Sequence, residues 1–127
     1  MVRQELNQLS MNRFLVAHDI KFKYGNIDHL VIRDDGTVFM IETKSHRGVI
    51  TADGQRLYLN GTPFKKNPIC QINQNIRWVR NKLGANFRMN PWIVAIVVFP
   101  NGRVGIRRPV KRVNVIEARR LLGFIQR

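Results

Sequence analysis

Residues 27 to 44 read Ile27-Asp28-His29-Leu30-Val31-Ile32-Arg33, then Asp34-Asp35-Gly36, then Thr37-Val38-Phe39-Met40-Ile41-Glu42-Thr43-Lys44. Two apolar runs rich in β-branched residues flank a turn of Asp and Gly, which predicts a β-hairpin. Counted outward from the turn, Asp28 and Glu42 fall opposite one another. Side chains alternate along a strand, so Glu42 and Lys44 share a face, about 7 Å apart. Following Phe39-Met40-Ile41, an acid and an amine there are costly to bury without partners. Two carboxylates at paired strand positions repel each other and call for a cation. Their hard oxygens suit Mg²⁺ or Mn²⁺, which keep waters and accept a phosphate as a further ligand. Such an ion would offset phosphate charge and acidify a water, with Lys44 positioning that water or stabilising the phosphoryl oxygens. The competing reading is an exposed strand on which Glu-x-Lys is only a cross-face ion pair. Glu-x-Lys alone favours that reading; Asp28 at the paired position, together with a basic chain that attracts polyanions, brings the two level.

The rest of the chain favours a polyanion as partner. Twenty-two Lys and Arg face eight Asp and Glu among 127 residues, a net charge of +14. A field of that sign captures nucleic acid, where each phosphate contact releases condensed counterions. A hydrophobic share of 44% is that of a globular chain, and the length suits one domain over residues 1 to 127. The longest apolar run, residues 93 to 99, is too short to cross a membrane. The single Cys70 excludes an internal disulfide and a cysteine-built zinc site. With no secretory pattern at residue 1, a cytoplasmic protein is the expectation.

Outward from the hairpin, Val2, Leu6 and Leu9, with Phe14 and Ala17, predict a helix over 2–17, and residues 19 to 24 a short strand. Weaker strands are expected over 48–51 and 56–59, separated by Asp53-Gly54 and followed by the Asn60-Gly61 turn. Asn67-Pro68 reads as a helix cap. Ile69, Ile72, Ile76, Val79 and Leu83 form one apolar stripe, and Gly84 ends the helix. Residues 92 to 99 predict a central strand, and Pro100-Asn101-Gly102 a turn into a partner strand over 103–107. Asn114 caps a last helix, with Glu117 completing a capping box. The order α-β-β-β-(β-β)-α-β-β-α implies an α/β fold, a central mixed sheet flanked by helices.

Residues 25 to 32, 36 to 44 and 48 to 50 resemble the NERD (nuclease-related) domain. The likeness lies in an Ile-Asp-His strand (Ile27-Asp28-His29), a Gly-led strand ending Ile41-Glu42-Thr43-Lys44, and Gly48-Val49-Ile50. The helix start Asn67-Pro68-Ile69-Cys70-Gln71 extends it, in order, over about residues 25 to 80. The resemblance implies a restriction-endonuclease-like core of the PD-(D/E)xK type and DNA processing. It assigns metal ligands to Asp28, Glu42 and the Thr43 backbone carbonyl, the catalytic lysine to Lys44, and an accessory glutamine to Gln71. Gln71 also makes sense alone, since the first helical turn offers free N–H groups to a phosphate. The opening glycine-and-glutamate motif of the family is reduced here to Glu5, which is either an accessory acid or an ordinary helix glutamate.

His29 alternates away from Asp28 and is expected to pack in the other layer. His46, Arg47, Lys65, Lys66, Arg107, Arg108, Lys111 and Arg112 are candidates for the nucleic-acid backbone. Trp78 and Trp92 are expected in or half in the core. The expectation is a Mg²⁺- or Mn²⁺-dependent deoxyribonuclease acting on DNA, with RNA as the other polyanion, as monomer or homodimer. The alternative is an inactive nuclease fold that only binds.

Overall fold

The computed structural model describes residues 1 to 23 and 25 to 127. The predicted hairpin forms β2 (Gly25–Arg33) and β3 (Val38–Thr43), with His29 opposite Ile41 and Ile32 opposite Val38. Arg33 N–H donates to the Thr37 carbonyl and Gly36, at φ +89°, closes the turn. The register places Asp28 opposite Glu42, one step beyond the last ladder pair.

Before the hairpin, α1 is short (Val2–Leu6), and the predicted helix over 2–17 gives way to β1 (Phe14–Phe22). Eight positions of β1 pair antiparallel with β2, an interaction that overrides the loose helical spacing of Phe14 and Ala17. The strand expected over 19–24 is the end of β1; Tyr24 lies outside the described residues. At Asp19, φ +52°, the alternation changes layer: Phe14 and Val16 face one core, Ile20 and Phe22 the other.

After the hairpin come β4 (Gly48–Asp53), β5 (Arg56–Leu59) and β6 (Thr62–Pro63), then α2 (Pro68–Phe87) and β7 (Ile93–Val98). The Asn67 side chain accepts from Ile69 N–H at 3.0 Å and Pro68 occupies the first turn, as predicted. Gly84 does not end α2. The helix runs to Phe87 and stops at Arg88, itself left-handed at φ +52°. One exposed glycine costs a helix only about 1 kcal/mol, too little to stop it.

The C-terminal stretch departs most from expectation. It holds β8 (Gly102–Val104), β9 (Val113–Ile116), a 3₁₀ turn (Ala118–Arg120) and α3 (Leu121–Gln126). β8 pairs with β4 and not with β7. Asn114 is a strand residue donating to the Ala95 carbonyl at 3.1 Å, so no capping box forms. Glu117 instead accepts from Val104 N–H at 3.1 Å. Val113, Val115 and Ile116 are buried beside β7, and this burial outweighs the cap-like spacing of Asn114 and Glu117.

Two mixed sheets result, ordered β1-β2-β3-β7-β9 and β6-β5-β4-β8. The fold is α/β, mixed sheets flanked by helices, consistent with a restriction-endonuclease-like core; β6 and β9 are additions to the predicted order. One core joins Val38, Met40, Ala95 and Val97 to Ile69, Ile72 and Val79 of α2 and to Ile50 and Leu57 of the second sheet. The other joins Phe39, Ile41, Ile96 and Val98 to Val2 and Leu6 of α1 and Leu121 and Ile125 of α3. No helix among the described residues is long and apolar enough to cross a membrane.

Candidate active site

β3 is buried on both faces through Ile41, and Glu42 continues that burial at 5% exposure. A carboxylate so deep must find partners. Asn75, one turn beyond Gln71 on α2 and also buried, donates through Nδ2 to Glu42 Oε1 (3.1 Å) and to the Asn26 carbonyl (3.2 Å). Across the ribbon, Thr43 N–H donates to Asp28 Oδ2 at 2.8 Å, and Asn26 Nδ2 reaches Asp28 Oδ1 at 3.4 Å. The N–H and C=O of a strand residue point to the same lateral side, so the Thr43 carbonyl is directed toward the side of Asp28. Lys44 N–H faces the other way, donating to the Val98 carbonyl.

The electrostatics follow from that geometry. Burial first, and the adjacent Asp28 carboxylate second, push the Glu42 carboxyl up to about 7, while Lys44 pulls it down. Two acids that close cannot both ionise freely near neutrality without a positive partner. Lys44 is only a partial one, because its Nζ donates to Gln71 Oε1 at 2.8 Å. Asp28, Glu42, Lys44 and Gln71 are thus brought together by the hairpin and the first turns of α2. Two carboxylates and a backbone carbonyl make a donor set that fits an ion retaining several waters. Among the described residues no group of three or more His, Cys, Asp or Glu forms a closed cage.

Other expected residues lie elsewhere. Glu5 sits on α1, against the opposite core, and no hydrogen bond or ion pair joins it to Asp28 or Glu42. His29 is buried as expected. Its Nδ1 shares a hydrogen bond with His18 Nδ1 (2.8 Å), and burial, then the neighbouring His18, hold its pKa below the ordinary histidine value. Trp78 stacks on Phe22 with ring centroids 4.2 Å apart, whereas Trp92 is 73% exposed, because the buried face of β7 begins one residue later at Ile93. His46, Lys65 and Lys66 line a cavity together with Lys44; Arg47 is exposed.

None of the basic residues of the C-terminal stretch lines the cavity that contains Lys44. Val110 and Val113 exchange both backbone hydrogen bonds at 2.9 Å around Lys111 and Arg112, whose φ angles are +48° and +67°. Two-residue turns of this kind normally hold Asn-Gly, and each left-handed non-glycine residue costs about 1 kcal/mol. Arg107 and Arg108 line a recess of about 130 Å³ together with Arg120 and Arg127.

Asn75 and Asn26 are site residues that sequence reasoning missed. The signal for Asn75 was present: a lone amide within the stripe Ile72, Ile76, Val79 implies a buried polar partner.

A family model described as nuclease-related domain, NERD, matches residues 1 to 100. Neither curated proteins nor solved structures show a significant match. The matched span contains the whole Asp28–Glu42–Lys44–Gln71 cluster, and the chain belongs to the NERD, or nuclease-related domain, family.

Proposed function

We propose that this protein is a divalent-metal-dependent nuclease that hydrolyses phosphodiester bonds of DNA, with residues 1 to 127 as one nuclease domain. The observation that carries the reading is the pair of acids, buried Glu42 and half-buried Asp28, set across one hairpin beside Lys44. Asp28, Glu42 and the Thr43 carbonyl would hold Mg²⁺ or Mn²⁺. When bound, the ion supplies Lewis acidity toward the phosphate.

The remaining steps belong to the chain's own side chains. Lys44 stabilises charge developing on the phosphoryl oxygens, and Gln71 holds the Lys44 ammonium at the mouth of the site. Asn75 fixes the rotamer of Glu42 by donating to one of its oxygens. Gln71 lies near the start of α2, where the positive end of the helix dipole favours a phosphate, although Asn67 already takes the Ile69 and Gln71 N–H groups. Lys65, Lys66, Arg107, Arg108, Lys111 and Arg112 would grip the backbone of the same polyanion.

The second reading is a binding module that holds DNA without turnover, and the net charge of +14 favours it because charge alone secures binding. Incubation of plasmid and of linear DNA with Mg²⁺ or Mn²⁺, for wild type and Lys44→Ala, separates the two. Metal-dependent cutting that falls about 10²- to 10³-fold in the variant is expected. Equal cutting by both proteins contradicts the assignment.

A further inference from the structure

Beside the acids lies a cavity of about 500 Å³ that the proposed chemistry does not use. Lys44 lines it, together with Leu59, Pro63, Phe64, Pro68, Lys65 and Lys66. A volume of that size falls within the range of small-molecule sites and is much larger than one phosphate needs. The wall is aromatic as well as apolar: Phe64 forms a three-ring cluster with His46 (4.9 Å) and Phe99 (5.9 Å), which are themselves 6.1 Å apart. No carboxylate lines the cavity, and Lys65 and Lys66 have no ion-pair partner among the described residues.

The occupant must therefore be flat or apolar in body and anionic at its edge, and must be joined to whatever Lys44 holds. An unpaired nucleotide meets these requirements. Its base would lie against Phe64, and its phosphates would face Lys44, Lys65 and Lys66. A base within a closed duplex cannot enter, because its faces are covered by its neighbours in the stack.

We propose that this cavity receives one unpaired nucleobase next to the phosphate at Lys44, so that single-stranded, frayed or flapped DNA is the preferred substrate class. The inference rests on the nuclease reading for its placement beside the scissile phosphate, and its test does not depend on cleavage. β5 and β6 build the cavity wall through Leu59 and Pro63, which assigns the small second sheet a role in holding substrate.

The test is fluorescence anisotropy in EDTA, where no cutting occurs. A thymidine hexanucleotide is compared with a hexanucleotide of six abasic sites, which has the same phosphates and no bases. Wild type is expected to prefer the first by about tenfold, the scale of one stacked base. Phe64→Leu, which keeps the bulk and removes the ring, should bring the ratio to within about twofold. Thr62→Met, at an exposed position lining the same cavity, should do the same by filling it. Equal affinity of wild type for the two oligonucleotides overturns the proposal, as does an unchanged preference in either folded variant. Should no DNA be cut with metal while the base preference holds, the nuclease reading fails and the pocket stands. Cutting without any base preference sinks the pocket alone.

Discussion

The two ends of this molecule carry the same net charge in different ways. Residues 1 to 100 hold fourteen Lys and Arg against seven acids, and residues 101 to 127 hold eight against one, so each stretch is +7. In the longer stretch the acids are placed. Asp28 and Glu42 face each other across β2 and β3, and Asp19 pairs with Arg3 at 2.6 Å. In the shorter one, Glu117 is tied to Val104 N–H and Arg119, leaving seven cations without a carboxylate of their own segment. The family match also ends at residue 100. One region is defined by a geometry that only certain residues satisfy, and the other by charge density that many arrangements could supply. Chemistry and affinity are therefore expected to come apart on mutation.

The largest effect should follow removal of either acid. Asp28→Ala or Glu42→Ala is expected to lower metal-dependent cutting at least about 10³-fold. DNA affinity in EDTA should hold or tighten, since a negative charge is removed. If either variant cut normally, the contrast between the two ends would break. Asn75→Ala comes next, with cutting down about 10- to 100-fold through a loosened Glu42. A melting curve checks that the fold survives, and Asn75→Asp, which cannot donate to Glu42 when ionised, should do no better than alanine.

On the other side of the comparison, Arg107→Gln combined with Arg108→Gln should raise KM several-fold and leave kcat close to wild type. The slope of log K against log salt should shrink by about 0.9 for each phosphate the double variant no longer neutralises. A kcat effect as large as that of Asn75→Ala would mean that the C-terminal stretch belongs to the chemistry. The smallest effect concerns the turn at Lys111 and Arg112. Lys111→Asn with Arg112→Gly supplies residues that accept φ above zero and should stabilise the fold by about 1 kcal/mol. It should also weaken DNA binding slightly, so stability and affinity would move in opposite directions. A lower melting temperature would contradict the strain ascribed to that turn.

The same divide separates what could be read in advance. The hairpin, its register and the start of α2 are legible because period, turn and cap agree there: Asp34-Asp35-Gly36 closes the ribbon, and Asn67-Pro68 starts a helix with apolar residues at Ile69, Ile72, Ile76 and Val79. β1 was not, since Phe14 and Ala17 fit a helix as well as a strand until pairing with β2 decides the matter. β9 was hidden by Asn114 and Glu117, which have cap spacing but serve β7 and β8. Asn75 was overlooked because it interrupts an apolar stripe and looks like a defect until Glu42 is placed opposite it.

Titration of Mn²⁺ into the protein by calorimetry tests the acid pair most directly. Below about pH 7 Glu42 holds a proton that the ion must displace, so affinity should fall as pH drops through that value and recover above it. At pH 8 wild type should bind one ion per chain, and Glu42→Gln should bind none. Absence of saturable binding at pH 8, or equal affinity in the variant, would contradict the account.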